Sequence, residues 1–107
     1  MYKLIFFVPP DHLEIVKQAV FDTGAGQIGN YDQCCWQILG DGQFRPLTGS
    51  KPFIGSQETV TSVPEYRVEM VCADSLIAEA VTALKKAHPY EEPAFDVIKL
   101  SLPAIDE

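Results

Sequence analysis

Basic residues are scarce in this chain. Eight Lys and Arg face fifteen Asp and Glu, for a net charge of −7. A surface of that sign repels nucleic-acid phosphates and anionic lipid, so neither nucleic acid nor membrane is an expected partner. The longest basic run, Lys85-Lys86, falls at the end of an expected helix, where cations suit the dipole anyway. Long apolar runs are missing too. Leu4-Ile5-Phe6-Phe7-Val8 is far short of a membrane span, and it lacks the basic start and cleavage site of a signal peptide. It reads as a buried strand. Cysteine is limited to Cys34, Cys35 and Cys72. The odd count argues against a disulfide framework, and the missing C-x-x-C spacing argues against a zinc or thioredoxin-like site. Neighbours Cys34 and Cys35 would point to opposite faces of a strand. Buried thiols in a reducing cytoplasm are the expectation. The only histidines are His12 and His88, and there is no H-E-x-x-H, G-x-S-x-G or Walker sequence.

What is present suits one domain. The chain has 107 residues and is 47% hydrophobic. A domain of this length buries roughly 65% of its unfolded surface and needs no staples. Residues 2–8 read as a first strand. Pro9-Pro10-Asp11 then signals a helix start. Leu13, Val16, Ala19 and Val20 fall on one face at helical spacing. That helix stops at Thr23-Gly24. A second strand is expected over residues 31–39. Residues 40–62 read as a long irregular stretch, with a short strand possible around Gln43-Phe44-Arg45. A loop of that length in a small domain is usually functional or bound to a partner. Its glycines make it the expected site of highest mobility. Residues 65–72 alternate as a third strand. Asp74 or Ser75 is the expected cap of a second helix, whose stripe is Leu76, Ile77, Ala80, Val81 and Leu84. Pro89 ends it. Residues 94–102 form a last strand, and residues 103–107 a loose tail.

Strand, helix, strand, strand, helix, strand is the split βαβ, or ferredoxin-like, order. The fold class is α+β: a four-stranded antiparallel sheet with both helices on one face. The other face is bare, yet the strands carry apolar residues on both faces. A second copy of the chain is the simplest cover.

Two segments invite a chemical reading. Gly24-Ala25-Gly26-Gln27-Ile28-Gly29 matches G-x-G-x-x-G letter for letter. A dinucleotide loop needs a strand before it and a helix after it, and here that order is inverted. Gly24, Gly26, Gly29, Asn30 and Tyr31 are therefore taken as a structural loop, with Gly24 as a helix C-terminal glycine. The second segment is Ala87-His88-Pro89-Tyr90-Glu91-Glu92-Pro93-Ala94-Phe95-Asp96. Its prolines stiffen a connector that displays His88, Tyr90, Glu91 and Glu92. These four are the candidate ligand or metal residues. His88 beside carboxylates is an incomplete metal shell, so the cofactor expectation stops at a weakly bound divalent metal. His12 reads as a plain surface histidine.

These two segments, with Gly40-Asp41-Gly42-Gln43-Phe44-Arg45-Pro46 and Pro52-Phe53-Ile54-Gly55, resemble in order the domain inserted in the middle of bacterial NIF-three-like proteins, the YqfO group. The resemblance covers nearly the whole chain. That insert in turn resembles the CutA and PII signalling-protein fold, whose ferredoxin-like subunits form trimers. His88-Pro89-Tyr90-Glu91 is also similar to a segment of CutA. The resemblance implies a homotrimer, with a small ligand or ion bound in a cleft between subunits. Full-length family members carry a two-metal site in their flanking halves, and some are labelled GTP cyclohydrolases. That site needs several His and acidic ligands outside the insert, so neither it nor the label is expected to transfer. The favoured expectation is a PII-like binding or regulatory module. The alternatives are a small enzyme using His88 as base with Glu91 or Glu92, and a scaffold without ligand.

Overall fold

The structure is a computed structural model and describes residues 1–101. Strand β1 is Tyr2–Val8, β2 Trp36–Phe44, β3 Thr61–Cys72 and β4 Phe95–Lys99; helix α1 is Leu13–Phe21 and α2 Ile77–Ala87. A 3-10 turn over Pro10–His12 leads into α1. The strands form one sheet in the order β2-β3-β1-β4. Every pairing is antiparallel. This is the ferredoxin-like α+β arrangement that the element order implies. The end of the expected last strand, Leu102, and the expected tail over residues 103–107 lie outside the described residues.

The sheet's register puts Leu4, Phe6 and Val8 on one face with Met70, Val68 and Tyr66. The apolar stripes of α1 (Leu13, Val16, Val20) and α2 (Ala80, Leu84) close over that face, and Leu4, Phe6, Val8, Val16, Val20, Val68 and Leu84 are completely buried. The opposite face carries Phe7 paired with Arg67, and Trp36 paired with Glu69. No element covers it among the described residues. Trp36 is 57% exposed, Ile38 53% and Ile98 48%.

Strand boundaries depart from expectation in the second quarter of the chain. Residues 31–35 are not strand. Ile28 and Tyr31 exchange backbone hydrogen bonds of 2.8 and 2.9 Å across a tight turn. Gln33 then takes φ +54, which no strand tolerates. Pairing starts at Trp36 and runs through the glycines to Phe44, which faces Thr61. The expected irregular stretch over residues 40–62 thus shrinks to residues 45–60. Both strands of this hairpin overrun the sheet. β1 ends at Val8, opposite Tyr66, because Pro9 and Pro10 cannot continue the ladder. Beyond that point β2 and β3 continue as a two-stranded arm, and Pro64 is tolerated there because β3 has no neighbour on its other side. The molecule is elongated as a result, at 53 × 24 × 24 Å.

The expected cap of α2 is also different. No side chain caps that helix, and Leu76 stands at its N-cap. Asp74 instead bonds the N-terminal ammonium and the Lys99 ammonium, 2.6 Å away in the latter case.

Candidate functional site

Helix α2 ends where Pro89 follows, and His88 turns into extended backbone as its C-cap. The His88 side chain is folded inward and only 6% exposed. Its Nδ1 accepts from the Tyr90 backbone N–H at 3.0 Å. That fixes the tautomer: Nε2 carries the proton and donates to the Phe7 carbonyl at 2.7 Å. Burial lowers the His88 pKa; the bond to Phe7 opposes this, and the nearby His12 adds to it. The ring is therefore neutral, with both nitrogens engaged by backbone. It clamps the connector to the end of β1. No lone pair is left for a metal ion.

Tyr90 follows from that clamp. Its ring lies 4.8 Å from the His88 ring, tilted by 58°, and 6.2 Å from Phe44 and 6.3 Å from Phe53. Phe44 is the last residue of β2. Phe53 arrives on the loop over residues 45–60, which folds back over the connector. Hydrogen bonds within the loop and to the connector hold its course. The Glu58 carboxylate accepts from the Thr48 N–H and hydroxyl, each at 2.8 Å. The Glu91 carboxylate accepts from the Lys51 N–H at 3.1 Å.

Arm, loop and connector enclose a cleft of about 410 Å³. Phe44, Pro46, Leu47, Pro52, Phe53 and Ile54 give it apolar walls; Arg45, Glu65, Tyr90, Glu91 and Glu92, with the uncharged Gln43 and Ser50, supply its polar groups. The Tyr90 hydroxyl is buried and has no hydrogen-bond partner among the described residues. A buried hydroxyl without a partner costs about 1–3 kcal/mol. Burial raises the Tyr90 pKa, and the charge of Glu65 raises it further. The Glu65 carboxyl is itself pushed up by burial. It lies over Gly42, where an added Cβ would collide with it.

The four candidate residues are thus separated by role. Tyr90, Glu91 and Glu92 line the cleft, while His88 sits behind Tyr90 as its support. The glycine loop is elsewhere. The Gly26 N–H donates to the Val71 carbonyl, near the opposite end of β3 from Glu65, roughly 20 Å along the strand. Gly26 has φ +82, and a Cβ there would strike the Phe21 ring and the Cys34 carbonyl. Gly24, Gly29, Asn30 and Tyr31 surround that pin, and none of them lines the cleft.

Sequence reasoning missed three contributors. His12 is not a plain surface residue. Its ring edge packs on Phe53 at 5.4 Å and 89°, and its Nδ1 is buried without a partner among the described residues. Glu65 read only as the start of a strand. Phe44 read as part of an irregular stretch with at most a short strand around it, and the run of β2 into the arm as far as Phe44 brings it to Tyr90. Among the described residues, no three His, Cys, Asp or Glu side chains cluster as a metal centre would need. Nor is any helix among them long and apolar enough to cross a membrane.

Comparison with known proteins places the chain. No family model matches it. The GTP cyclohydrolase 1 type 2 homolog of Mycobacterium tuberculosis is 47% identical over 103 residues, covering 96% of this chain and 27% of that protein. The Bacillus subtilis protein of the same name is 42% identical over 95 residues, covering 89% and 26%. The chain therefore spans about a quarter of the length of the curated relatives it matches. Among solved structures, a Bacillus cereus protein related to NIF3 superposes with a TM-score of 0.81 at 39% identity, over 94% of this chain and 26% of that one. The PII-like protein CutA from Nostoc superposes with a TM-score of 0.66 at 20% identity, over 94% and 81%, a likeness of fold alone. On these grounds the chain belongs to the NIF3-related proteins, as the counterpart of about a quarter of their length, and it is built on the CutA-like, PII-like fold.

Proposed function

We propose that this chain is a self-associating, PII-like binding module whose cleft between arm, loop and connector takes a small ligand. One observation carries the ligand: an apolar cleft of about 410 Å³ holds a buried Tyr90 hydroxyl with nothing to bond. Concave, mostly apolar sites with a few convergent polar groups are where small molecules bind. The exposed Trp36, Ile38 and Ile98 on the uncovered sheet face support self-association. The resemblance to CutA subunits makes a trimer the expected assembly, with the cleft beside a subunit boundary.

The reading of His88 as a catalytic base is disfavoured. A base needs a free lone pair directed at substrate, and the Tyr90 N–H occupies the one at Nδ1. The same geometry weakens His88 as a metal ligand. A CutA of the same fold from Archaeoglobus fulgidus is called a periplasmic divalent cation tolerance protein, but among the described residues the carboxylates that line this cleft are not grouped as a metal centre would need. The two-metal site that the resemblance implies for longer family members has no donor set among the described residues.

A thermal-shift screen against nucleosides, nucleotides and divalent metals tests the reading. A ligand at a hundred times its dissociation constant adds about 2.7 kcal/mol of stability. The expected result is stabilisation by an organic ligand, reduced in Tyr90→Phe. Stabilisation by divalent metals alone, or by nothing, would overturn it.

A further inference from the structure

We propose that the cleft recognises the edge of a planar amino-substituted heteroaromatic ring, one presenting an N–H donor beside a hydrogen-bond acceptor and carrying no phosphate. This deepens the ligand reading above and rests on it. Shape comes first. Phe44, Tyr90 and Phe53 stand in a row, with neighbouring ring centroids 6.2 and 6.3 Å apart and tilted by 49° and 45°. Pro46 and Pro52 add flat apolar walls. Aromatic faces of this kind favour a flat π system.

Polar chemistry comes second. Two groups of opposite hydrogen-bonding sense share the cleft. The Tyr90 hydroxyl is a buried donor without an acceptor. The Glu65 carboxylate is an acceptor that makes no side-chain hydrogen bond or ion pair among the described residues, and it is close enough for Tyr90 to feel its charge. The two do not bond each other. A ligand that accepts from Tyr90 and donates to Glu65 through adjacent ring atoms satisfies both at once. An aminopyrimidine edge has that pattern, and so does the amide edge of a guanine-type base. A purely apolar ring leaves the hydroxyl unpaired, as it is in the free chain, and so forgoes the hydrogen bond that an accepting ring edge gains.

Charge comes third. Glu65, Glu91 and Glu92 line the cleft against Arg45 alone. Phosphate groups meet a like-charged mouth. A neutral or weakly cationic ring does not.

Glu65 has a positioning element of its own. Gly42 leaves room for the carboxyl, and any Cβ there displaces it. Gly42→Ala should therefore act on recognition like a mild Glu65 variant.

The test is an NMR titration of the full chain with guanosine and with 2-aminopyrimidine. Toluene serves as the shape control and GTP as the phosphate control. The expected result is saturable shifts of Tyr90, Phe53 and Glu65 signals with both amino-heteroaromatics. Affinity should fall roughly tenfold in Tyr90→Phe and in Glu65→Gln, one lost hydrogen bond each. It should fall less in Gly42→Ala, and GTP should bind more weakly than guanosine. Toluene binding as well as either probe would overturn the ring-edge inference and leave the cleft standing as an apolar ligand site. Equal probe binding in wild type, Tyr90→Phe and Glu65→Gln would overturn it too. No saturable shift from any of the four compounds at millimolar concentration would overturn both the inference and the ligand reading.

Discussion

His88 ties together parts of the chain that the sequence sets eighty residues apart. Its Nε2–H reaches the Phe7 carbonyl and its Nδ1 takes the Tyr90 N–H. His88→Ala leaves both backbone groups without those partners and opens a void behind Tyr90. The expected cost is about 2–3 kcal/mol, read from urea unfolding. The pH dependence has a definite sign. Burial holds the folded-state pKa below the ordinary 6.5. The unfolded chain then binds the proton first as pH falls. The contribution of the neutral ring is complete above about 6.5 and is lost as pH drops through and below that value. Glu65 acts in the opposite sense, since its raised pKa removes stability as pH rises past the carboxylate range. Comparing wild type with His88→Gln isolates the histidine: the variant should lack the stability loss between neutral and mildly acid pH. An unchanged slope in the variant would count against this account. The pairing itself was not legible in the sequence. A histidine between a helix end and a proline invites a reading as ligand, and only the register of β1 against β4 brings the Phe7 carbonyl within its reach. Gly26 is the opposite case. Its place in a turn after a helix was readable, and its φ of +82 agrees. Gly26→Ala should cost about 1–3 kcal/mol from backbone strain and the Phe21 contact.

The elements repeat that contrast between local and distant information. The strands and helices with clean periodicity, β1, β3 and the two helices, could be read from spacing because one face of each meets the core. The arm could not. Gly40-Asp41-Gly42 carries turn residues, yet it pairs with Glu65, Pro64 and Val63 as regular ladder. Gly42 answers to a packing need, the Glu65 carboxyl that lies over it, rather than to a turn, whereas Gly40 has open space around it. Conversely, Tyr31 to Cys35 looks like strand but follows a tight turn and bends at Gln33. The cleft inherits this difficulty, since Phe44, Phe53, Glu65 and Tyr90 come from four segments with no shared motif. The loop over residues 45–60 should be the most rapidly exchanging backbone among the described residues, because its bonds are exposed and mostly made by side chains. Glu91→Ala removes the acceptor of the Lys51 N–H. Hydrogen exchange should rise around Lys51 and Phe53 and stay unchanged in β1 and β3. A rise spread over the core strands instead would mean that the loop is part of the cooperative fold.

At the scale of the whole molecule, the unmet demand is the uncovered sheet face. Both helices lie on the other side, so Trp36, Ile38 and Ile98 face solvent in the single chain. The face is not purely apolar. Arg67 sits over the Phe7 ring at 5.8 Å and bonds Glu69 at 3.1 Å, with Lys3 at 3.8 Å from the same carboxylate. A surface with apolar residues beside internally paired charges can be desolvated without leaving an isolated ion, which is what an interface requires. The net charge of −7 opposes non-specific association, so any assembly must come from a defined contact. Trp36 offers more apolar area than any other residue on the face, and Ile38 lies two residues further along the same strand, on the same side. The double variant Trp36→Glu, Ile38→Glu places two like charges into that contact. It touches neither the buried core nor the cleft, so the single-chain fold should survive. Light scattering across the micromolar range should give wild type a mass that is a multiple of 11.8 kDa, and the double variant the single-chain mass. Circular dichroism should be the same for both. A third arm separates assembly from the site. Tyr90→Phe keeps the ring against Phe44 and Phe53 and should leave the mass unchanged. If wild type itself stays at the single-chain mass at every concentration, the sheet face is solvent-exposed by design, and self-association is removed from the proposed function while the cleft is untouched.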